Sequence, residues 1–224
     1  MKKLILIISS ILLLVSCNDK TNDTTHLWVV EADDANTRVT FNTDTLDILS
    51  PGGNTVWYNQ KLKGQYTISY RAKVCDEGGI YDRLSDLNCF WGANDPEFPK
   101  DLFERSSWRN GVFKHYNTLN LFYVGFGGNE NTTTRFRKYH AEYYGIDESK
   151  IKPLIAEYTE LPNLLEKDKW YNIVISVGKK ETTFSVNGEL LFSYELKRKE
   201  ADGYFGLRFW KNHVIVTDFK VEEL

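Results

Sequence analysis

The sequence predicts an all-β protein, a two-sheet jelly-roll sandwich, and three observations carry that prediction. Six Trp, thirteen Tyr and thirteen Phe stand against five Pro and a single Met, a composition that favours pleated sheet over helix bundles. Short runs of strand character recur along the chain, parted by Gly, Asn, Asp and Lys turns. Helical periodicity is nearly absent, and so many short strands bury their apolar faces economically only by closing or stacking into two sheets.

Leu27 to Glu31, Arg38 to Phe41, Leu46 to Leu49 and Thr55 to Asn59 read as the first strands. The last two are expected to be joined by a turn at Ser50-Pro51-Gly52-Gly53-Asn54. From Tyr66 to Val74 the alternation is clean: Tyr66, Ile68, Tyr70, Ala72 and Val74 face one way, and Thr67, Ser69, Arg71 and Lys73 the other. Leu87 to Trp91, Leu119 to Gly125 and Thr132 to Tyr139 form a middle group, broken by an irregular stretch from Gly92 to Tyr116. Asp147 to Leu165 alone hints at helix, and Pro153 and Pro162 keep any helix there short. Tyr171 to Val177 and Glu181 to Val186 bracket a turn. Asn187-Gly188 fits a two-residue hairpin turn, and Tyr204 to Trp210 and Val214 to Val221 complete the sheet.

The chain opens with basic Lys2 and Lys3 and an apolar run from Leu4 to Val15, too short to span a bilayer and followed at once by polar residues. It reads as a signal peptide. The run ends in Leu14-Val15-Ser16-Cys17, which resembles the lipobox of bacterial lipoproteins, so Cys17 is expected to carry the lipid. The expected organisation is a signal peptide at 1–16, a lipidated cysteine and polar tether at 17–25, and one jelly-roll domain at 26–224. That places the protein in the cell envelope, on the periplasmic or the surface face of the outer membrane, held through its lipid alone and as a monomer.

The formal net charge is −3; without Lys2 and Lys3, 26 basic residues face 31 acidic ones, or −5. That balance excludes broad attraction for nucleic acid. Any anion must be gripped by local cations. Cys75 and Cys89 are open to a disulfide or to two buried thiols, and no Cys-His spacing suggests zinc.

Pro51-Gly52-Gly53-Asn54-Thr55-Val56-Trp57-Tyr58, Leu62 to Tyr70, Lys169-Trp170-Tyr171, Phe184 to Gly188 and Gly203 to Arg208 resemble the concanavalin A-like (laminarinase or galectin type) jelly-roll domains of Bacteroidetes polysaccharide-utilisation lipoproteins. Asp82 to Trp91, Tyr123 to Asn129 and Thr132 to Tyr139 are similar to one family of unknown function among them. The resemblance covers most of the mature chain. Its members are commonly labelled glycosyl hydrolase-like, a label that rests on fold, and fold alone does not fix function.

If Thr132 to His140 is a strand, Arg135, Arg137 and Tyr139 share one side, with Phe136 and Lys138 on the other. Near the C-terminus, Tyr204, Arg208 and Trp210 alternate likewise. Two such strands in one face would form a cationic, aromatic-walled groove, and the planar fork of arginine suits the carboxylate of a uronate. Arg135, Arg137, Tyr139 and His115 are therefore the candidate catalytic residues. Asp86, Asn88, Trp91, Tyr123, Asn129, Arg208 and Trp210 are the candidate glycan-binding residues. The same alternation also fits a solvated outer face, the loop His115 a surface residue, and Trp91, Tyr123 and the Asp86-Asn88 pair core packing or turn caps.

The Glu-x-Asp-x-x-Glu pattern of jelly-roll glucanases is absent, and paired carboxyls for hydrolysis have only Asp82, Asp86 and Glu97 to draw on. A lyase would need a cation to stabilise an enolate and a Tyr or His to move protons. The expected function is cleavage of an oligo- or polysaccharide, uronate-containing by preference, by hydrolase or lyase chemistry. The alternatives are a non-catalytic glycan-binding module and a purely structural envelope lipoprotein. No cofactor is expected; Asp82, Asp86 and Asn88 could bind sugar hydroxyls, hold a structural calcium through oxygen ligands, or cap turns.

Overall fold

The structure, a computed structural model, describes residues 25–197 and 199–224. The expected signal peptide, Cys17 and nearly all of the expected tether lie outside the described residues. The strands, in order, are β1 (Trp28–Ala32), β2 (Arg38–Asn42), β3 (Thr45–Tyr58), β4 (Tyr66–Val74), β5 (Leu87–Asn94), β6 (Asn120–Gly127), β7 (Thr133–Tyr139), β8 (Leu154–Tyr158), β9 (Tyr171–Val177), β10 (Glu181–Val186), β11 (Glu189–Glu195) and β12 (Tyr204–Glu223).

Two long strands build the sandwich by running through both of its layers. The first half of β12 pairs with β5 and with the end of β3, while its second half pairs with β4 and the start of β3. One sheet therefore runs β2-β3-β12-β4-β9-β10-β11 and the other β1-β3-β12-β5-β6-β7-β8. The crossing point is a bulge between Trp210 and Asn212, where Lys211 takes φ 49°. Opposite it, Ser50-Pro51-Gly52-Gly53 is no turn: it lies within β3 and carries the strand from one sheet to the other. Gly53 packs so closely that an added Cβ would meet Gly111 O at 2.6 Å.

Between the layers lies the main core. Trp91 stacks there on Phe122, Phe136 and Phe184 and donates from Nε1 to Thr182 Oγ1 at 2.9 Å. Asn187 and Gly188 both have positive φ, as the hairpin between β10 and β11 requires. The helix hinted at in 147–165 is a single turn, Glu148–Ile151, and the segment after it is strand β8.

A second apolar cluster sits on the outer face of the β1–β8 sheet. Trp57, Phe90, Leu121, Tyr139 and Tyr204 project from the strands, and Leu102, Tyr116 and Leu119 come down on them from the irregular stretch. That stretch is an insert bound to the sheet. Arg109, wholly buried, donates to Glu31 from Nη2 at 2.7 Å; Tyr116 and Ser106 donate to the same carboxylate at 2.7 and 2.6 Å.

Candidate functional site

The insert stops short of β7, and the uncovered end of the face is a pocket of about 330 Å³. Its floor follows from strand alternation. Tyr123 and Gly125 of β6, and Arg135, Arg137 and Tyr139 of β7, all point away from the core that holds Phe122, Val124 and Phe136. Gly125 leaves room for this floor: a Cβ there would lie 2.7 Å from Tyr123 Oη, so a larger residue would displace the phenol that lies across the strand. Phe113 of the insert, Asp86 before β5, Asn129 after β6 and Lys152 before β8 complete the walls.

The charges fall into two kinds. Arg135 Nε donates to Glu157 Oε1 at 2.5 Å, and Asp86 accepts from Arg83 Nη2 at 2.5 Å, so both are already neutralised. Arg137 donates from Nη1 to the Lys152 carbonyl at 2.7 Å. Neither Arg137 nor Lys152 has a carboxylate at ion-pair distance among the described residues. The Lys152 ammonium lies over the rings of Phe113 and Tyr139, 5.0 and 5.8 Å from their centroids. Burial first, and then Arg137, lowers its pKa below the ordinary lysine value.

Tyr139 is 0% exposed, and its Oη has no hydrogen-bond partner. Burial raises its pKa well above the usual phenol value, against the pull of Arg137 and Arg208. It is therefore a protonated donor next to two cations, and buried polar groups are seldom left unpaired. Burial does the same to Tyr123.

The rim at Asn129 is strained. Asn129, Glu130 and Asn131 take φ of 58°, 55° and 58°, three consecutive left-handed residues, a conformation costing about 1–2 kcal/mol for each non-glycine residue. It is held from outside. The Asn131 side chain exchanges two 2.8 Å hydrogen bonds with the backbone of Leu165, and Arg83 Nη1 donates to Glu130 at 2.8 Å. Residues held in such conformations tend to cluster at ligand sites.

Of the expected site residues, the structure gathers Arg135, Arg137, Tyr139, Tyr123, Asp86 and Asn129 around this pocket and places the others elsewhere. Trp91 is in the core, on the parity of Leu87 and Cys89, and offers no face to a ligand. His115 stacks on Trp108 at 4.2 Å, its Nδ1 2.8 Å from the Trp108 carbonyl, outside the pocket lining. Arg208 is 3% exposed and donates to Gly111 O at 2.6 Å, so it seats the insert instead of facing a groove. Asn88 is buried, donating to Asp86 Oδ1 at 3.2 Å. Trp210 is exposed, but its indole packs against Arg83 and Lys211 beyond the pocket.

The oxygen ligands read from sequence are engaged within the fold. Asp82 accepts from the amides of Glu77 and Gly79 and faces His213, whereas Asp86 turns to Arg83, Ser85 and Asn88. Among the described residues, no group of three or more His, Cys, Asp or Glu is placed to hold a metal ion. Three contributors were missed from sequence: Lys152, Phe113 and Arg83. Arg83 lies inside the Asp82 to Trp91 run, a signal that was available; Lys152 and Phe113 reach the pocket only through tertiary folding.

Fold and pocket define the class: an all-β, galectin-like sandwich with carbohydrate-binding structural neighbours. Residues 48–219 match the family described as a domain of unknown function, DUF6250, and the chain belongs to that family. It is similar in fold to a protein of unknown function with a galectin-like fold from Bacillus subtilis, at 16% identity and a TM-score of 0.65, over 87% of this chain and 88% of that one. The carbohydrate binding module CBM66 from Bacillus subtilis aligns at 12% identity with a TM-score of 0.55, over 88% of this chain and 96% of that chain. The Emp46p carbohydrate recognition domain, in a metal-free form, has the same identity and TM-score over 93% of each chain. No curated protein matches the sequence.

Proposed function

We propose that this protein is a glycan-recognition domain whose pocket takes an acidic sugar, a uronate, by its carboxylate. One observation carries the reading: Arg137 and Lys152, with no carboxylate at ion-pair distance among the described residues, flank the unpartnered buried phenol of Tyr139 above an aromatic floor. A carboxylate there would accept from both cations and from the phenol, while Tyr123 and Phe113 offer apolar faces to the ring. The neighbours' carbohydrate binding supports the glycan part of the reading. The lipid anchor read at Cys17 would hold the domain in the cell envelope, as in the polysaccharide-utilisation lipoproteins that the sequence resembles.

Binding is favoured over cleavage. Hydrolysis by the common route needs two carboxyl groups, and Asp86, the one carboxylate lining the pocket, is already tied to Arg83. A lyase needs a base, and burial keeps Tyr139 protonated. The test is calorimetric titration with uronate oligosaccharides, their neutral counterparts and a sulfated neutral oligosaccharide, followed by product analysis. Uronate binding without new products, weakened tenfold or more in Arg137→Ala, is the expected result. Equal affinity for the neutral series would sink the acidic-sugar reading, and accumulation of shorter or unsaturated products would restore the enzymatic one.

A further inference from the structure

The position of the insert bears on which part of a glycan can enter. The outer face of the β1–β8 sheet is several strands wide, with strands spaced about 4.8 Å apart, and left open it would hold a run of sugar rings. Here it is filled from β1 to β6. Leu102, Tyr116 and Leu119 occupy the centre, packed on Trp57, Phe90 and Tyr204.

The insert is locked to the sheet around residues 109–111. Arg109 is bonded to Glu31 of β1, and Arg208 of β12 donates to Gly111 O. At Gly111 the insert backbone approaches Gly53 of β3 so closely that a Cβ on Gly111 would lie 2.3 Å from Gly53 O. No chain can pass beneath the insert.

What remains is a small recess at the end of the face. Phe113, stacked against Arg208 of β12, Asn129 with its left-handed turn at the end of β6, and Lys152 before β8 stand around it. Each wall comes from a different loop, and the volume of about 330 Å³ lies at the small end of ligand pockets, roughly 300–1,000 Å³.

We propose that the pocket reads the end of a glycan: it admits one terminal acidic sugar and turns the rest of the chain out to solvent, and does not bind a stretch within a polymer. The proposal rests on the acidic-sugar reading above. It makes the ligand a chain terminus or a one-residue branch, so the number of sites on a polysaccharide equals its number of accessible ends.

The experiment compares galacturonate, glucuronate and mannuronate, each as monomer, trimer and polymer, by calorimetric titration of the wild-type protein. End recognition predicts that monomer and trimer of the accepted sugar bind one protein each with affinities within severalfold. It also predicts that partial depolymerisation of the polymer raises its binding capacity per gram in proportion to the new ends. A stoichiometry that grows with chain length, with capacity per gram unchanged or lowered by depolymerisation, overturns the proposal while leaving the acidic-sugar reading intact. Failure of every acidic probe to bind defeats both.

Discussion

Arg109 Nη2 meets Glu31 Oε1 at 2.7 Å with both side chains shut off from solvent, joining a helical turn of the insert to strand β1. A buried pair of this kind adds little over a well-packed apolar pair, but removing one partner strands the other charge, typically at about 3–5 kcal/mol. Glu31→Gln should therefore lower unfolding free energy by several kcal/mol in chemical denaturation. The double variant Glu31→Leu/Arg109→Met should recover only part of that loss, because Tyr116 and Ser106 lose their acceptor and buried Asp95 loses the Arg109 guanidinium 3.8 Å away. A single-variant cost below about 1 kcal/mol would show that the pair does not hold the insert.

Tyr139→Phe separates fold from function. The lost hydroxyl is buried and unpartnered, so stability should stay within about 1 kcal/mol of wild type or rise slightly. Affinity for the acidic sugar should fall about tenfold or more, the equivalent of one hydrogen bond to a charged group at about 1.5–3 kcal/mol. Denaturation midpoints measured beside binding constants decide it. A marked loss of stability with affinity unchanged would place the phenol in the scaffold.

The β7 face was legible because a strand's period of two leaves no freedom: once Phe136 is in the core, Arg135, Arg137 and Tyr139 must face away from it. The same parity groups Trp91 with Leu87 and Cys89, so its burial was legible too, though its ring suggested a sugar platform. Pro51-Gly52-Gly53 reads as a turn from local chemistry; that it crosses between sheets depends on β12 lying beside it, which no local signal carries. Lys152 was hidden for the same reason. It follows a single helical turn, and long-range hydrogen bonds from β7 and the residue after it, Arg137 to the Lys152 carbonyl and His140 to the Ile151 carbonyl, bring it to the pocket. Arg208 shows the limit of alternation, which sets the face of a side chain but not what comes to cover it.

Cys75 and Cys89 are both buried and free, which settles the open disulfide question for this structure. Burial pushes the Cys75 thiol up to about 11 and the Cys89 thiol up to about 12. At neutral pH both should resist iodoacetamide in the native protein and react at once in denaturant. Each folded value lies above the ordinary thiol value of 9.0, so the thiols' contribution to stability is complete below that pH. It erodes as pH rises towards the folded values. Rapid alkylation of native protein at neutral pH would contradict this burial.

Lys152 should set the alkaline limb of ligand binding. Burial and Arg137 depress its pKa in the free protein, so as pH rises its charge is lost earlier than that of an ordinary lysine. A bound carboxylate would stabilise the ammonium and raise that pKa in the complex. Affinity should thus be full below the free-protein value, fall as pH passes through it, and level off above the value in the complex. Charged Lys152 is also a cost to the fold, since its folded pKa lies below the unfolded one. Lys152→Met should accordingly unfold at slightly higher denaturant at neutral pH while binding acidic sugar about tenfold more weakly, a trade of stability for function. Lys152→Arg should keep the affinity and lose the alkaline limb, because a guanidinium stays charged throughout. Identical pH profiles for wild type and Lys152→Met would remove this ammonium from the site.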